Sequence, residues 1–395
     1  MKYDIKKLPK SQIEILFELP FGELDKPYKE AVLEFGKNLK VEGFRPGHIP
    51  ETIIEREVGK MRLLEETAQK AIQENYQKVV SENNLTPVSQ PQVEILKLAP
   101  ANPLEFKILV FILPEIKLPD YKKIAAGAKK EAVVVTEKEI EDSLLWLQKS
   151  RAKLSLKNGA AQKGDFVEIE YSSFQLESGK TYKDAFFLGE GRFVSGFEQN
   201  LEGAKDSEEK DFSVKFPVNY AQKDLAGKDI NFKVKIKSVQ KAELTEIGDE
   251  FAKSLGKFEN LQALKKNIKE GIALEKERQE SDRIRSEILG KISEASTCEI
   301  PEVLIESEKK RTPDLPEDQA KKRIIGSLVL RELAKRENIA VSEEEIKKET
   351  EIFLRQYPDV KTAENQFDAE RLKEYIKDAI ANEKTFKLLE NLIKK

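Results

Sequence analysis

The sequence is poor in the side chains that most enzymes use for covalent and metal chemistry. Its 395 residues include one histidine, His48, and one cysteine, Cys298. Zinc sites and Ser-His-Asp or Cys-His nucleophile systems draw on these residue types. A disulfide within the chain is excluded because it needs two cysteines. We therefore expect a protein that works without a metal or another cofactor.

The chain also lacks an excess of charge of one sign and long apolar runs. Its 69 basic and 72 acidic side chains give a formal net charge of −3, so any contact with nucleic acid has to be local. No run of 18 apolar residues occurs, and residues 1–20 lack the apolar block of a signal peptide. We expect a cytoplasmic protein without membrane contact.

Two kinds of periodicity organise the first part of the chain. Residues 12–19 alternate apolar and charged side chains, which is the pattern of a half-buried strand. Residues 23–40 and 50–83 carry apolar side chains at helical spacing. Residues 92–98 and 104–113 return to strand patterns. Together these segments predict a compact α+β unit.

The next part changes from helix to strand character. After a connector at 117–135, Thr136 and Glu139 have the spacing of a capping box and start a helix that we expect to run to about residue 152. Residues 164–240 alternate apolar with charged side chains in three stretches and are punctuated by glycine. This pattern predicts a small antiparallel β domain.

Residues 244–395 are almost wholly helical in pattern. The segment 258–293 would span about 50 Å as one helix, and its middle is charged on all sides, as expected for a helix that projects into solvent. Further helices are predicted at 317–336, 342–357 and 368–393. Charged residues make up 36% of the chain, above the usual ~25%, which favours such extended, solvent-rich elements.

A Gly/Pro-rich loop separates the first two predicted helices. It reads Gly43-Phe44-Arg45-Pro46-Gly47-His48-Ile49-Pro50. By composition alone this is a helix–helix turn or a site where Phe and Arg contact RNA or protein. The loop closely resembles the ribosome-docking signature of the trigger factor family, Gly-Phe-Arg-x-Gly-Lys-x-Pro, with His48 in place of the lysine. The resemblance implies that ribosome binding involves Gly43, Phe44, Arg45, Pro46, Gly47, His48 and Pro50.

The β-rich segment resembles the FKBP-type peptidyl-prolyl isomerase domain. Residues 189–198 match the stretch Gly-x-Gly-x-hydrophobic-Ile/Val-x-Gly-aromatic-Glu, and Phe216-Pro217-x-x-Tyr220 matches another. An apolar cage can lower the barrier to X-Pro rotation by removing water from the imide, without a nucleophile or metal. By resemblance the catalytic cage consists of Tyr171, Phe193, Val194, Phe197, Tyr220 and Phe232.

The segment before this motif departs from the FKBP pattern. Residues 177–188 are shorter than usual, and Tyr182-Lys183 lies where an aromatic residue and an acid are expected, with Asp184 adjacent. A missing wall would readmit water, so we expect an isomerase activity weaker than that of well-formed pockets. The alternative is that these aromatic residues are ordinary β-domain core.

The resemblance to trigger factor runs from end to end and implies a multidomain α+β fold. We expect an N-terminal α+β ribosome-docking module at 1–115, followed at 116–155 by a connector and a linker helix that packs with the C-terminal domain. An FKBP-like antiparallel β domain is expected at 156–241. The remaining residues, 242–395, would form an all-α C-terminal domain with projecting helical arms that cradle clients.

The function implied is that of a bacterial, ATP-independent chaperone that binds nascent or unfolded polypeptides at the ribosomal exit tunnel. Its partners would be the ribosome, through large-subunit protein and RNA, and the client chains. The resemblance also implies a homodimer away from the ribosome, which no heptad seam supports independently. Two alternatives stay open: a dedicated FKBP-type prolyl isomerase with accessory domains, and a non-enzymatic adaptor that binds one defined partner.

Overall fold

The chain folds into two compact units. The computed structural model describes residues 1–42, 44–45, 47–176, 179–355 and 368–393. The first unit combines residues 1–131 with 280–395, and the second comprises residues 132–279.

The first unit contains a four-stranded antiparallel sheet. Its strands are β1 (Lys2–Leu8), β2 (Gln12–Leu19), β3 (Gln92–Lys97) and β4 (Leu104–Phe111), in the order β1-β2-β4-β3. The alternation predicted for 12–19 is confirmed, because every second side chain of β2 is buried. Phe17 of β2 stacks on Phe106 of β4 with ring centroids 4.5 Å apart. Strand β1 was not predicted.

Three helices accompany this sheet: α1 (Asp25–Asn38), α2 (Glu51–Val58) and α3 (Lys60–Glu82). The prediction of one helix over 50–83 is wrong, because the helix is interrupted at Gly59, between α2 and α3. Gly59 has φ +87°, a left-handed conformation that glycine adopts without steric cost and that ends a right-handed helix. The helical period of the sequence continues across the break.

Helices complete the first unit. Within the predicted connector 117–135, α4 (Tyr121–Ala126) starts where the Asp120 carboxylate accepts a hydrogen bond from the Lys123 amide, 3.1 Å away. The remaining helices are α8 (Leu261–Ala295, from residue 280 onwards), α9 (Glu302–Arg311), α10 (Glu317–Arg336), α11 (Glu343–Leu354) and α12 (Ala369–Asn391). The end of the helix predicted at 342–357 lies outside the described residues.

The apolar core of these helices is formed by residues of α4, α8, α10 and α12, among them Tyr121, Ile288 and Leu389. Next to it, the guanidinium of Arg285 on α8 donates to both carboxylate oxygens of Glu383 at 2.8 and 3.0 Å, and to Glu390 at 2.6 Å. These contacts tie α12 to α8 by a charge-assisted, two-point pair.

The second unit contains α5 (Glu137–Ser150), α6 (Phe197–Leu201), α7 (Asp249–Leu255), the first part of α8 and a five-stranded antiparallel sheet. The strands are β5 (Lys153–Leu156), β6 (Phe166–Ser172), β7 (Thr181–Phe187), β8 (Glu209–Lys215) and β9 (Asp229–Glu243). Their order is β5-β9-β6-β7, and β8 also pairs with β9. The sheet therefore runs from residue 153 to residue 243. It extends by a few residues beyond both ends of the range 156–241 expected for the β domain.

The capping box at the start of α5 is confirmed. The hydroxyl of Thr136 accepts from the Glu139 amide, and the Glu139 carboxylate accepts from the Thr136 amide. Behind this cap, Ile140 and Leu144 pack with α7 and α8. The multidomain combination of antiparallel sheets with a helical C-terminal region agrees with the expected fold class. In the part of the chain that the structure describes, no helix is long and apolar enough to cross a membrane.

Candidate functional sites

The inner face of the five-stranded sheet and the segment around α6 enclose a cavity of about 410 Å³. Its size lies within the usual range of about 300–1,000 Å³ for small-ligand sites. All six side chains predicted for the cage line it: Tyr171, Phe193, Val194, Phe197, Tyr220 and Phe232. The structure thus brings together residues that are up to 61 positions apart in the sequence (232 − 171).

The strands and α6 place the aromatic rings by their ordinary geometry. Tyr171 is the last but one residue of β6, and Phe232 lies on the inner face of β9, where alternate side chains are buried. Phe197 is the first residue of α6 and is 1% exposed. Its ring stacks on Phe193 at 4.3 Å and meets Phe232 edge to face at 5.1 Å. These contacts form a continuous aromatic floor.

Tyr220 lies at the mouth of the cavity. It is 36% exposed, whereas Phe216 behind it is 5% exposed. The two rings are perpendicular with centroids 4.8 Å apart. Such an edge-to-face pair holds the Tyr220 ring in place beside a lining that is mainly aromatic and aliphatic.

A charged pair stands at the rim. Arg192, which lines the cavity, donates to the Asp184 carboxylate at 3.0 Å. Burial raises the pKa of the Tyr171 hydroxyl, and the negative charge of Asp184 adds to that shift. Tyr171 therefore stays a neutral hydroxyl at physiological pH. Tyr182, in the short segment, stacks on Tyr171 at 5.5 Å.

Several lining residues were not predicted. Leu176, Phe216 and Leu225 complete the apolar wall. Phe216 belongs to the Phe-Pro-x-x-Tyr motif and to a stretch in which Phe212, Val214 and Phe216 alternate with Ser213 and Lys215, but neither pattern assigned it to the cage. Leu176 and Leu225 reach the cavity from turns, whose residues follow no period. Leu176 lines the cavity and directly precedes the short segment 177–188, of which residues 177 and 178 lie outside the described residues.

The predicted docking loop joins α1 to α2. The side chains of Phe44, Arg45 and His48 are exposed, and Phe44 is 39% exposed. The Gly47 amide donates to the Gly36 carbonyl at 2.7 Å, and Ile49 is 8% exposed within the cluster formed by α1, α2 and α3. These two contacts anchor the loop. Of the predicted loop residues, Gly43 and Pro46 lie outside the described residues, and Pro50 precedes the first residue of α2.

Within the described ranges, no group of three or more His, Cys, Asp or Glu side chains is placed to hold a metal ion. The cavity lining combines aromatic and aliphatic side chains with the polar groups of Tyr171, Ser195, Tyr220 and Gln222 and with the guanidinium of Arg192.

An antiparallel sheet around a short helix, with an aromatic cavity between them, defines an FKBP-type isomerase domain within a larger chain. The sequence model described as "FKBP-type peptidyl-prolyl cis-trans isomerase" matches residues 157–237. The model of "Bacterial trigger factor protein (TF)" matches residues 1–145, and that of its C-terminus matches 260–313 and 309–390.

Full-length relatives agree with these matches. A trigger factor from Caldicellulosiruptor saccharolyticus is 30% identical over 421 residues, which cover 96% of this chain and 94% of that protein. One from Halalkalibacterium halodurans is 32% identical and covers 85% of this chain and 84% of its own. This chain belongs to the trigger factor family.

A solved structure supports the same fold. It is described as "Promiscuous Substrate Recognition in Folding and Assembly Activities of the Trigger Factor Chaperone" and covers 98% of this chain and 99% of its own, with a TM-score of 0.51 at 23% identity. As a family member, this chain is a ribosome-associated chaperone with an FKBP-type peptidyl-prolyl isomerase domain. The matches on both sides of that domain favour this function over a dedicated isomerase.

Proposed function

We propose that the cavity lined by Tyr171, Phe197 and Phe232 is where this chaperone isomerises X-Pro bonds of its clients. The observation that carries the proposal is the convergence of all six predicted side chains on one cavity of about 410 Å³. A proline ring, being apolar and rigid, would pack against the half-buried side chains of Phe193 and Val194. The Phe193 ring is in turn supported by the buried ring of Phe197.

The chemistry requires no proton transfer or covalent step. The barrier to rotation, about 18–20 kcal/mol, comes from amide resonance, which is lost when the bond twists. Because the planar imide is more polar than the twisted one, removing water from its carbonyl favours the twisted form. Tyr220, at the mouth, donates a hydrogen bond from its hydroxyl group to a carbonyl oxygen of the client and so orients the chain.

A Tyr220→Ala variant tests this site. Removing the mouth residue should lower kcat/KM for a chromogenic X-Pro peptide at least tenfold. Phe174→Ala is the matched control, because Phe174 is an aromatic residue of the same domain that is 93% exposed and does not line the cavity. Equal loss in both variants, or no loss in Tyr220→Ala, would contradict the assignment.

We further propose that the anchored loop docks on the large ribosomal subunit near the exit tunnel. Arg45 would pair with RNA phosphate or an acidic side chain of a ribosomal protein, and Phe44 would pack beside it. Gly43, Gly47 and Pro50 would shape the loop, with Pro46 and His48 at the interface. Support comes from the exposure of Phe44, Arg45 and His48 on a loop fixed at Gly47 and Ile49.

Arg45→Ala tests the docking loop. We expect it to abolish co-sedimentation with ribosomes and to leave the far-UV circular dichroism unchanged. Arg56→Ala is the control, since Arg56 lies on α2 of the same unit with its side chain 73% exposed. Retained binding of the Arg45 variant would refute the role of the loop.

The remaining proposals concern the whole chaperone. We propose that it acts in the bacterial cytoplasm, binds unfolded clients through its helical region at 242–395, and self-associates off the ribosome. We also keep the domain boundaries expected from the sequence: 1–115 for the docking module, 116–155 for the connector and linker helix, and 156–241 for the isomerase domain.

Suppressed aggregation of several unrelated unfolded proteins would support a general chaperone, whereas protection of a single partner would favour an adaptor. Analytical ultracentrifugation without ribosomes tests the homodimer.

A further inference from the structure

A buried carboxylate lies beneath the cavity and does not line it. Glu198, the second residue of α6, is 7% exposed. Its Oε2 accepts hydrogen bonds from the amides of Gly189 at 2.7 Å and Gly191 at 3.2 Å, and its Oε1 accepts from the amide of Phe193 at 3.1 Å. Three alternate amides of one loop thus converge on a single side chain.

The charge of this carboxylate is balanced by backbone dipoles. In the part of the chain that the structure describes, no lysine or arginine forms an ion pair with Glu198. Burial raises its pKa, but the hydrogen bonds from Phe193, Gly191 and Gly189 outweigh burial, and the net pKa is lowered. A carboxylate with several backbone donors stays ionised in this way. The loop 189–193 is therefore wrapped around a permanent anion.

The same loop carries two walls of the cavity. Phe193 and Val194 line it, and the Phe193 ring stacks on Phe197, the residue next to Glu198. The Phe197 amide donates to the Val194 carbonyl at 3.0 Å, which closes the loop on the start of α6. Gly189 and Gly191 both have positive φ, +93° and +73°, and glycine has little conformational preference of its own. The hydrogen bonds that Glu198 accepts from this loop therefore help to fix its position, together with the contacts of the Phe193 ring.

We propose that Glu198 is a positioning residue of the isomerase: its carboxylate sets the place of Phe193 and Val194 and thereby the width of the proline cavity. This inference rests on the proposed function of the cavity. Glu198 touches neither client nor imide, so its effect reaches the reaction only through the loop.

Glu198→Gln is the sharpest test because it keeps the size of the side chain. One carboxylate oxygen becomes an NH₂ group, which cannot accept from the loop amides. We expect kcat/KM for a chromogenic X-Pro peptide to fall at least tenfold, mainly through a higher KM because the binding wall is displaced. Glu198→Asp keeps the charge on a side chain one methylene shorter and should recover part of the loss.

Glu208→Gln is the matched control. Glu208 is a half-buried carboxylate of the same domain that accepts from the Lys205 amide at 2.8 Å in a turn and does not line the cavity. This variant should keep the catalytic constants of the unmodified chain. Equal losses in Glu198→Gln and Glu208→Gln would overturn the positioning role.

Amide hydrogen exchange provides a readout that needs no catalysis. In Glu198→Gln, we expect faster exchange at Gly189, Gly191 and Phe193, and unchanged exchange at Ile169 and Phe232 of the sheet. Slow exchange at all five residues would refute the inference, and so would fast exchange at all five, because that would mark general unfolding. If the unmodified chain fails to catalyse X-Pro isomerisation, the proposed cavity function fails, while the exchange pattern still decides whether Glu198 holds the loop.

Discussion

Single side chains decide how strongly the proposed docking loop can attract RNA. His48 stands where the trigger factor pattern has a lysine; its side chain is exposed, and its amide donates to the Arg45 carbonyl at 3.0 Å. Arg45 is thus the one permanent cation in the segment 43–50. Since each phosphate contact made by a cation adds to the salt dependence of binding, this loop should dock with a weak electrostatic component.

His48→Lys should reverse that weakness. If the added lysine reaches an RNA phosphate, the slope of log binding constant against log salt should steepen by about 0.7, with tighter binding at low salt. Ribosome co-sedimentation across a salt series measures both effects. Gln77→Lys, which adds the same charge at an exposed position of α3, is the control and should change neither. Equal slopes for His48→Lys and the unmodified chain would exclude this residue from the interface.

At the scale of elements, the two capping boxes show how short motifs define helix starts. On α11 the Ser342 hydroxyl accepts from the Glu345 amide, and the Glu345 carboxylate accepts from the Ser342 amide at 2.9 Å. Lys384 of α12 also donates to this carboxylate at 2.8 Å. The box therefore both starts α11 and ties it to α12.

This arrangement makes α11 sensitive to acid. The hydrogen bond from Lys384, followed by those from Ser342, lowers the pKa of Glu345 to about 2 from its ordinary 4.5. A lowered pKa in the folded state means that the stabilisation is fully present above pH 4.5 and is lost as the pH falls through about 2.

Glu345→Gln should accordingly unfold at lower urea than the unmodified chain at pH 7, because it lacks this ionised group. The difference should shrink as the pH falls from 4.5 and vanish near 2, as measured by hydrogen exchange of α11. Glu344→Gln removes the same charge from the same helical turn without touching the box, and it serves as the control. A difference that stays constant over this pH range would contradict the linkage.

The elements also show where sequence patterns stop being informative. Strand β2 and helix α10 follow from periodicity, because one face of each is buried. The break at Gly59 does not, since apolar spacing is the same on both sides of it. Strand β1 could not be predicted from the sequence either, because its side chains are mostly exposed and show no clear alternation. It forms because its backbone pairs with β2.

The residues of the candidate site also fall into those that could be predicted from the sequence and those that could not. Phe232 could be predicted because alternation along β9 marks its inner face, and Phe193 and Phe197 because they lie in a recognisable motif. Leu176 and Leu225 could not, since turns bring them to the cavity only once the domain has folded. The three amides bound by Glu198 are backbone groups, which no side-chain pattern reveals.

At the scale of the whole molecule, the five-stranded sheet of the isomerase domain begins and ends at one place. Lys153 at the start of β5 pairs with Glu243 at the end of β9. Directly opposed residues of antiparallel strands lie about 4.5–5.5 Å apart. Outside the sheet, Gln148 donates to the Thr245 carbonyl at 2.8 Å, and α5 packs against α7. The flanking segments are thus held together without help from the sheet.

Replacing residues 153–243 with Gly-Gly should therefore leave a folded protein. We expect X-Pro catalysis to fall to background, with ribosome co-sedimentation and suppression of aggregation retained. Tyr220→Ala in the full chain is the comparison, since it should lose catalysis with every element in place. If the shortened chain aggregates or loses helix content, then α5 and α7 depend on the sheet and the argument fails.

The pairing of β5 with β9 also sets how the isomerase domain bears mechanical load. Because the chain enters at Lys153 and leaves at Glu243 on the same end of a strand pair, pulling the two ends apart loads the hydrogen bonds one after another. The four residue pairs between β5 and β9 would then separate one after another, from Lys153–Glu243 to Leu156–Gln240. Once a force transmitted through the flanking helices has parted α5 from α7, it would peel β5 away before it could shear the rest of the sheet.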